Sequence, residues 1–286
     1  MTKTATDTRS IEITLDIAAP AEDVWRALTS AKELMRWFPI KAKVDPGVGG
    51  KIWTYWEGGL EGFNTIAVWE PGRHLRTGWF DPEQIPVEDR PDTIFYRDAE
   101  ARRQLVVDYF LEAKGNATTL RLVHSGFSKD ASWDDEFEGH RRGWTFELRS
   151  LRNYLEHHRG KDRYIAWVTR PIRIENTEAW ARLTGKDALL AEGSIEGLAP
   201  GKRYALTTAH SDRFEGEVIL NEPPLQFAGT VDNLDHSLLR VGIEDCTGEK
   251  TMWFWVSIWG GDPTRAEAIR IRWASKLDEL YRADAG

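Results

Sequence analysis

Apolar and polar residues alternate along the chain from residue 11 to residue 17. A period of two predicts a strand that buries one face and exposes the other. Pro20 ends this strand and opens a helix, because acidic residues fill the first helical turn, where the helix dipole favours negative charge. A second, short helix is predicted over residues 31–37, and it ends before Pro39.

Turn signals divide residues 51–123 into several predicted strands. Gly49-Gly50 precedes the first of them, and Gly115-Asn116 predicts a hairpin near the end. Residues 80–103 are polar and rich in Pro and Asp, which predicts a surface loop or an insertion. A long helix follows over residues 133–158, where apolar side chains recur at helical steps and predict one buried face. These side chains are Phe137, Trp144, Leu148, Leu151 and Leu155.

The second half of the chain repeats this order of elements. A strand, a helix containing Trp180, further strands and a last strand over residues 252–259 precede a long helix over residues 263–281. This order predicts an α+β architecture, in which a curved antiparallel sheet packs around a long C-terminal helix, present twice in tandem. The boundary is placed at Gly160-Lys161, which gives a first domain of residues 1–160 and a second of residues 161–286.

Composition narrows the classes of partner. The hydrophobic fraction of 41% predicts a globular core, and the net charge of -8 disfavours nucleic acid and anionic membranes, which both attract basic proteins. The polar N-terminal stretch predicts neither a signal peptide nor an anchor, and no apolar run approaches the roughly 20 residues of a membrane helix. The single cysteine, Cys246, excludes an internal disulfide and favours a cytoplasmic location.

Motifs of catalysis and of metal or cofactor binding were sought next. The sequence contains no nucleophile elbow, P-loop, dinucleotide glycine fingerprint or zinc-protease motif. His157 and His158 are adjacent on a helix, so they point in different directions and do not form a metal pair. The acidic group Asp134, Asp135, Glu136 and Glu138 is favourable at a helix start, with a divalent-cation site as the alternative. We therefore expect no catalytic residues, no cofactor and no metal.

Aromatic residues are the strongest remaining signal, because the chain contains 14 tryptophans. Large rings either fill a core or form the walls of a cavity for an apolar ligand. The candidates for cavity lining in the first domain are Trp37, Trp53, Tyr55, Trp69, Trp79, Phe110, His124 and Trp144. Their counterparts in the second domain are Trp180, Trp253, Trp255 and Trp273.

His124 has two interpretations. A histidine at the mouth of a cavity can hydrogen-bond a ligand or act as a base. Alternatively, His124 is a structural residue that is hydrogen-bonded near the Ser125-Gly126 turn. The sequence favours the second interpretation and leaves the first open.

The placed motifs show a family resemblance. Residues 19–29, Arg36-Trp37-Phe38-Pro39, Trp69-Glu70-Pro71 and the stretch 118–127 resemble the AHSA1-like family of the START/SRPBCC superfamily. The resemblance covers residues 11–158 and implies the helix-grip fold, also called START-like or Bet v 1-like. It further implies a cavity for apolar ligands between sheet and helix. The second domain shares the order of elements but has lost most of the motifs.

Three functions are compatible with this resemblance. The first is binding of a small apolar or aromatic molecule, with His124 and Tyr55 as polar anchors. The second is an enzyme of the polyketide cyclase or hydrolase kind, which requires convergent polar groups in the cavity. The third is a co-chaperone-like module linked to stress response, which binds a protein partner or a second copy through an exposed apolar patch. We expect binding rather than catalysis.

Overall fold

Two antiparallel sheets of seven strands, each with its own long helix, make up the chain. The computed structural model describes residues 7–56, 60–79, 104–244 and 250–282, without the side chains of Leu60 and Trp79. The polar segment 80–103 and Cys246 lie outside the described residues. The chain divides into a first unit, Met1–Gly160, and a second unit, Lys161–Gly286.

In the part of the first unit that the structure describes there are seven strands and three α-helices. Its sheet has the strand order β1-β7-β6-β5-β4-β3-β2, so β1 and β2 are the edge strands. The strands are β1 Thr8–Ile17, β2 Lys41–Val44, β3 Lys51–Trp56, β4 Leu60–Glu70, β5 His74–Trp79, β6 Val106–Lys114 and β7 Ala117–Ser128. The helices are α1 Ala21–Thr29, α2 Ala31–Leu34 and α3 Asp134–His157.

The second unit repeats this topology, with two α-helices among its described residues. Its strand order, β8-β14-β13-β12-β11-β10-β9, is that of the first sheet, position for position. The strands are β8 Arg163–Pro171, β9 Glu192–Gly193, β10 Arg203–Thr207, β11 Arg213–Glu222, β12 Gln226–Val231, β13 Ser237–Glu244 and β14 Thr251–Trp259; the helices are α4 Asn176–Leu183 and α5 Thr264–Tyr281. The predicted tandem helix-grip architecture is confirmed.

The predicted second helix is shorter than expected, and a strand was missed. Helix α2 ends at Leu34, whose carbonyl accepts the N–H groups of both Trp37 and Phe38 in a closing turn. Pro39 cannot continue a helical hydrogen-bond pattern, so the chain leaves the turn extended. It then forms the short edge strand β2, which the sequence analysis did not predict.

The predicted apolar stripe of α3 faces the sheet. Trp144, Leu148, Leu151 and Leu155 are buried, as helical spacing requires of residues on one face. We call the sheet face that packs against the long helix the inner face and the opposite side the outer face.

A glycine bulge aligns the end of β7 with this packing. The pairing of β1 with β7 shifts between Arg9 and Ser10, which pair with Phe127 and Ser125 and leave Gly126 as the extra residue. Gly126 has φ 98°, and a Cβ there would lie 2.1 Å from the carbonyl oxygen of Gln104. The bulge restores Phe127 to the interior, where it is fully buried.

We therefore predict that Gly126→Ala lowers the free energy of unfolding by at least about 2 kcal/mol, from backbone strain and the clash with Gln104. Gly115→Ala is the control. Gly115 also has positive φ, but its Cβ would meet no described atom, so we expect a cost of about 1 kcal/mol. Urea denaturation of the full chain measures both, and equal costs would refute the role assigned to the bulge.

Candidate functional site

The inner face of the first sheet carries two polar side chains among apolar ones. On β7, Leu120, Leu122 and His124 alternate inward and are buried. Tyr109 of β6 pairs with Leu122, and cross-strand partners share a face, so Tyr109 also lies on the inner face. His124 and Tyr109 are therefore diagonal neighbours below α3.

Helix α3 fixes the ring of His124. Nε1–H of Trp144 donates to Nδ1 of His124 over 2.9 Å, and both residues are buried. Because Nδ1 accepts this hydrogen bond, the neutral imidazole carries its proton on Nε2. His124 therefore presents a hydrogen-bond donor, and its partner is Trp144 rather than a group near the Ser125-Gly126 turn.

Burial keeps His124 uncharged. Desolvation lowers the pKa of His124 well below its ordinary value, and the neighbouring His140 lowers it further. The two rings are 5.0 Å apart in an edge-to-face arrangement. Nδ1–H of His140 donates to the carbonyl oxygen of Glu136 over 2.9 Å, which holds that ring on its own helix.

Tyr109 is the second polar group. Its ring is 8% exposed and lies edge-to-face with Trp144, with centroids 6.1 Å apart. Burial raises the pKa of the Tyr109 hydroxyl, so the phenol remains protonated. Within the described residues this hydroxyl forms no hydrogen bond. The hydroxyl is therefore available to a polar partner.

Aromatic rings continue from these groups toward the β3 side of the sheet. Phe38 stacks on Trp144 with centroids 5.8 Å apart and meets Trp56 of β3 edge-to-face at 5.0 Å. Phe38 and Trp56 remain half-buried. The wall is therefore apolar, with His124 and Tyr109 at one end.

One position on α3 beside this wall is not filled by the described residues. Gly143 is half-buried, one residue before Trp144, yet a Cβ there would meet no described atom within 4 Å other than its chain neighbours and the backbone of its own helix. Ser150 lies two helical turns further along the same side of α3 and donates to the carbonyl oxygen of Trp37. Gly143 therefore faces the side of the helix from which Trp37 and Phe38 approach.

Four of the eight predicted cavity residues lie on the side of the sheet that faces the helices, but only two of them lie at the site. Trp144 and His124 lie at the centre of the site. Trp37 is fully buried in the core, where its N–H donates to the carbonyl oxygen of Ala27. Trp69 pairs with the buried Leu75 and packs edge-to-face on Trp25 at 5.1 Å, away from the rings of the site.

Of the remaining four predicted residues, three lie on the other side of the sheet and one has no described side chain. For Trp79 the structure describes only the backbone, which pairs with Asn64. Trp53, Tyr55 and Phe110 lie on the outer face, so their assignment to the cavity is wrong.

The strand period explains this correction. On β3, Ile52 and Thr54 are buried inward, which turns Trp53 and Tyr55 outward beneath the amines of Lys43 and Lys41. Phe110 is one residue beyond the inward Tyr109. It stacks on His74 at 4.4 Å and lies 4.3 Å below the Arg121 guanidinium.

Sequence analysis missed Tyr109, Phe38 and Trp56. Alternation along β6 could have indicated Tyr109, because Val107 and Leu111 lie two residues to either side and are buried with it. Phe38 follows the end of a helix, where periodicity does not predict which way a side chain points. Tyr109, rather than Tyr55, is thus the tyrosine on the inner face near Trp144.

The two adjacent histidines at the end of α3 and the acidic residues at its start do not form a metal site. His157 is exposed and His158 is buried, and Asp134 and Asp135 are exposed in the first helical turn. Over residues 7–56, 60–79, 104–244 and 250–282, no three His, Cys, Asp or Glu side chains are grouped as metal ligands. Within the same residues, no helix has the length and apolarity needed to cross a membrane.

The first unit is thus a helix-grip domain with an aromatic site that contains two neutral polar groups. Residues 18–156 match the family model described as activator of Hsp90 ATPase homolog 1-like protein. This match confirms the predicted resemblance to the AHSA1-like family over these residues. Among curated proteins, no relative matches.

Solved structures give a likeness of fold. A protein from Mesorhizobium loti is 24% identical and covers 51% of this chain and 96% of its own, with a TM-score of 0.42. The Aha1 dimer from Colwellia psychrerythraea is 21% identical over 53% of this chain and 99% of its own, with the same TM-score. The di-domain ARO/CYC protein BexL is 13% identical over 97% and 98%, with a TM-score of 0.39. At these TM-scores the likeness carries no functional argument.

The lowered pKa of His124 predicts a pH dependence of stability. An unfolded histidine has a pKa of about 6.5. Between that pH and the lower pKa of folded His124, the unfolded state binds more protons than the folded state. The contribution of His124 is therefore complete above about pH 6.5 and is lost as the pH falls toward the folded pKa.

We expect acidification below about pH 6.5 to cost the wild type up to about 1.4 kcal/mol of unfolding free energy per pH unit more than His124→Gln. Gln keeps an acceptor for Trp144 but does not titrate. His157→Gln is the control, because His157 is exposed. Urea unfolding across this pH range gives the comparison, and equal losses in the wild type and His124→Gln would contradict the assignment.

Proposed function

We propose that the first unit binds a small neutral aromatic molecule between α3 and the inner face of its sheet. The observation that carries this proposal is the Tyr109 hydroxyl, which belongs to a side chain that is 8% exposed and for which no hydrogen bond is found within the described residues. A ligand oxygen or nitrogen would pair with this hydroxyl. The aromatic wall of Phe38, Trp56 and Trp144 would stack against the ligand ring.

The charge state of the anchors defines the ligand class. His124 is neutral because of its lowered pKa, and Tyr109 is neutral because of its raised pKa. A carboxylate or phosphate would gain no countercharge from either group and would lose its hydration. A phenol or an aromatic ketone fits better, because Nε2–H of His124 would donate to its oxygen.

The same tautomer favours binding over catalysis. A general base must present a free lone pair to the proton it removes. In His124 one nitrogen accepts from Trp144 and the other carries the proton. His124 is therefore arranged as a donor, which supports a binding protein rather than a cyclase.

The interaction-module alternative lacks a specific observation in its favour. Among the described side chains, the exposed large apolar ones are Val48 and Ile271, and they belong to different units. Single exposed apolar residues are ordinary on protein surfaces.

Native mass spectrometry of gently purified protein gives the first test. We expect a non-covalent adduct of a small neutral molecule, which is lost on denaturation. Identification of the released molecule would then show whether it carries an aromatic ring and a hydrogen-bonding oxygen. A retained molecule that is anionic or purely aliphatic would contradict the proposed ligand class.

Tyr109→Phe separates the polar anchor from the apolar wall. Loss of one neutral hydrogen bond should weaken binding of 1-naphthol by about 3- to 10-fold, measured by calorimetry. Naphthalene lacks the hydroxyl, so its affinity should not change. An equal loss for both probes would show that Tyr109 acts only through packing and would remove the basis of the proposal.

Gly143 provides a variant that fills the space without weakening the helix. We expect Gly143→Leu to abolish binding of 1-naphthol, because its side chain would occupy the gap next to Phe38 and Trp144. Gly143→Ala should retain binding, and both variants should be more stable by up to about 1 kcal/mol from helix propensity. Wild-type affinity in Gly143→Leu would place the ligand elsewhere.

A further inference from the structure

In the second unit, four buried polar atoms lie where the turn between β10 and β11 meets α5. They are Nε2 of His210, Oδ2 of Asp212, Nε of Arg272 and Nε1 of Trp273, and none has a hydrogen-bond partner within the described residues. The Trp273 side chain is fully buried. Each such atom costs about 1–3 kcal/mol, so four in one place require an explanation. We call these four residues the turn–helix cluster.

Contacts between the side chains show that they form one group. Nη2 of Arg272 donates to Oδ1 of Asp212 over 2.5 Å. The other carboxylate oxygen of Asp212, Oδ2, and Nε of Arg272 form no hydrogen bond within the described residues. The ring of His210 lies edge-to-face with Trp273, with centroids 6.2 Å apart. Arg272 and Trp273 are consecutive on α5, so the turn faces a single turn of the helix.

In the first unit the N–H of the helix tryptophan has a hydrogen-bond partner, which Trp273 of the second unit lacks among the described residues. Trp144 and His124 have nearly the same ring geometry, 6.1 Å apart at 82°, and are joined by a hydrogen bond. Trp273 and His210 meet at 78°, but both nitrogens remain unpaired. The last strand supplies no acceptor here, because Phe254 of β14 stacks directly on Trp273 at 3.9 Å.

Backbone hydrogen bonds hold the turn in place. The N–H of Thr208 donates to the carbonyl oxygen of Asp212 over 2.8 Å. The buried Thr208 hydroxyl accepts from the N–H groups of His210 and Asp212, both at 3.2 Å. Ala209 and Ser211 between them are exposed, so the polar side chains point inward from a defined surface turn.

We propose that the turn–helix cluster is a second ligand site, for a neutral molecule that combines a carbonyl acceptor with an adjacent N–H or hydroxyl donor. Arg272 and Trp273 each offer an unused N–H to the acceptor, and Asp212 offers an unused oxygen to the donor. A primary carboxamide has this arrangement. The rings of Trp273 and His210 would line its apolar part.

The surrounding charges are consistent with a neutral ligand. Asp212 already accepts from Arg272, and Lys276 donates to Glu279 over 2.7 Å one helical turn further along. Each charge thus has an opposite charge beside it, and an ionic ligand would have to displace one member of a pair. This site does not depend on the ligand proposed for the first unit.

Benzamide is the probe for a test by nuclear magnetic resonance on the full chain with 15N-labelled tryptophan. Loss of one signal in Trp273→Phe would assign the Trp273 indole N–H; should that variant not fold, the ring-current shift caused by His210→Ala assigns it instead. We expect benzamide to shift this signal saturably. Toluene should leave it in place, because toluene has the ring without the amide.

Two matched variants locate the polar contact. Asp212→Asn should weaken benzamide binding at Trp273 by about 10-fold or more, since a hydrogen bond to a carboxylate is lost. Asp278 lies on α5, the helix of Arg272 and Trp273, and its carboxylate accepts from Arg170. Asp278→Asn should therefore leave benzamide binding unchanged. Equal effects of the two variants would overturn the proposal.

Two further results would also overturn it. One is a Trp273 signal that benzamide does not move up to its solubility limit. The other is a magnetisation-transfer signal between that N–H and water in the absence of probe, which would assign water as its partner. Binding of 1-naphthol in the first unit is followed at the Trp144 signal, so failure at one site is distinguishable from failure at the other.

Discussion

Each unit has to cover the inner face of a seven-stranded sheet with one long helix. Seven strands at a spacing of about 4.8 Å span about 29 Å, whereas a helix with its side chains is about 10–12 Å wide. One helix therefore cannot bury the whole face. In the first unit α3 runs close to β1, and its Trp144 contacts His124 of β7 and Tyr109 of β6. On the β3 side, Phe38 and Trp56 pack against each other.

This constraint also determines where polar groups are tolerated. His124 lies directly under α3, where water is excluded, and it remains there because Trp144 donates to it. Tyr109 lies edge-to-face with Trp144 of α3, and its side chain is buried. Under the helix of the second unit, Phe254 of β14 is apolar, and the polar groups come from the β10–β11 turn. The two units thus share a topology and differ in where their polar atoms lie.

Periodicity predicted most of the helices and strands, because a helical stripe such as Leu148, Leu151 and Leu155 has only one way to be buried, and the family resemblance implied the helix-grip fold. Periodicity was not sufficient to place the site. In β3 both faces carry large rings, Trp53 and Tyr55 on one and Trp56 on the other, so composition does not identify the inner one. Bulges add a second difficulty, since a single extra residue such as Gly126 reverses the facing of every residue beyond it.

The two units differ in their polar groups, so the family resemblance alone does not define a function. The family match covers residues 18–156, most of which form the sheet and helix of the first unit. Each long helix carries a buried tryptophan, Trp144 and Trp273, but the partner of its N–H differs. That partner is His124 from the last strand in one unit, whereas in the other the neighbouring His210 comes from a turn and leaves the N–H unpaired. Because ligand recognition depends on these polar atoms, function has to be argued separately for each unit and from its own side chains.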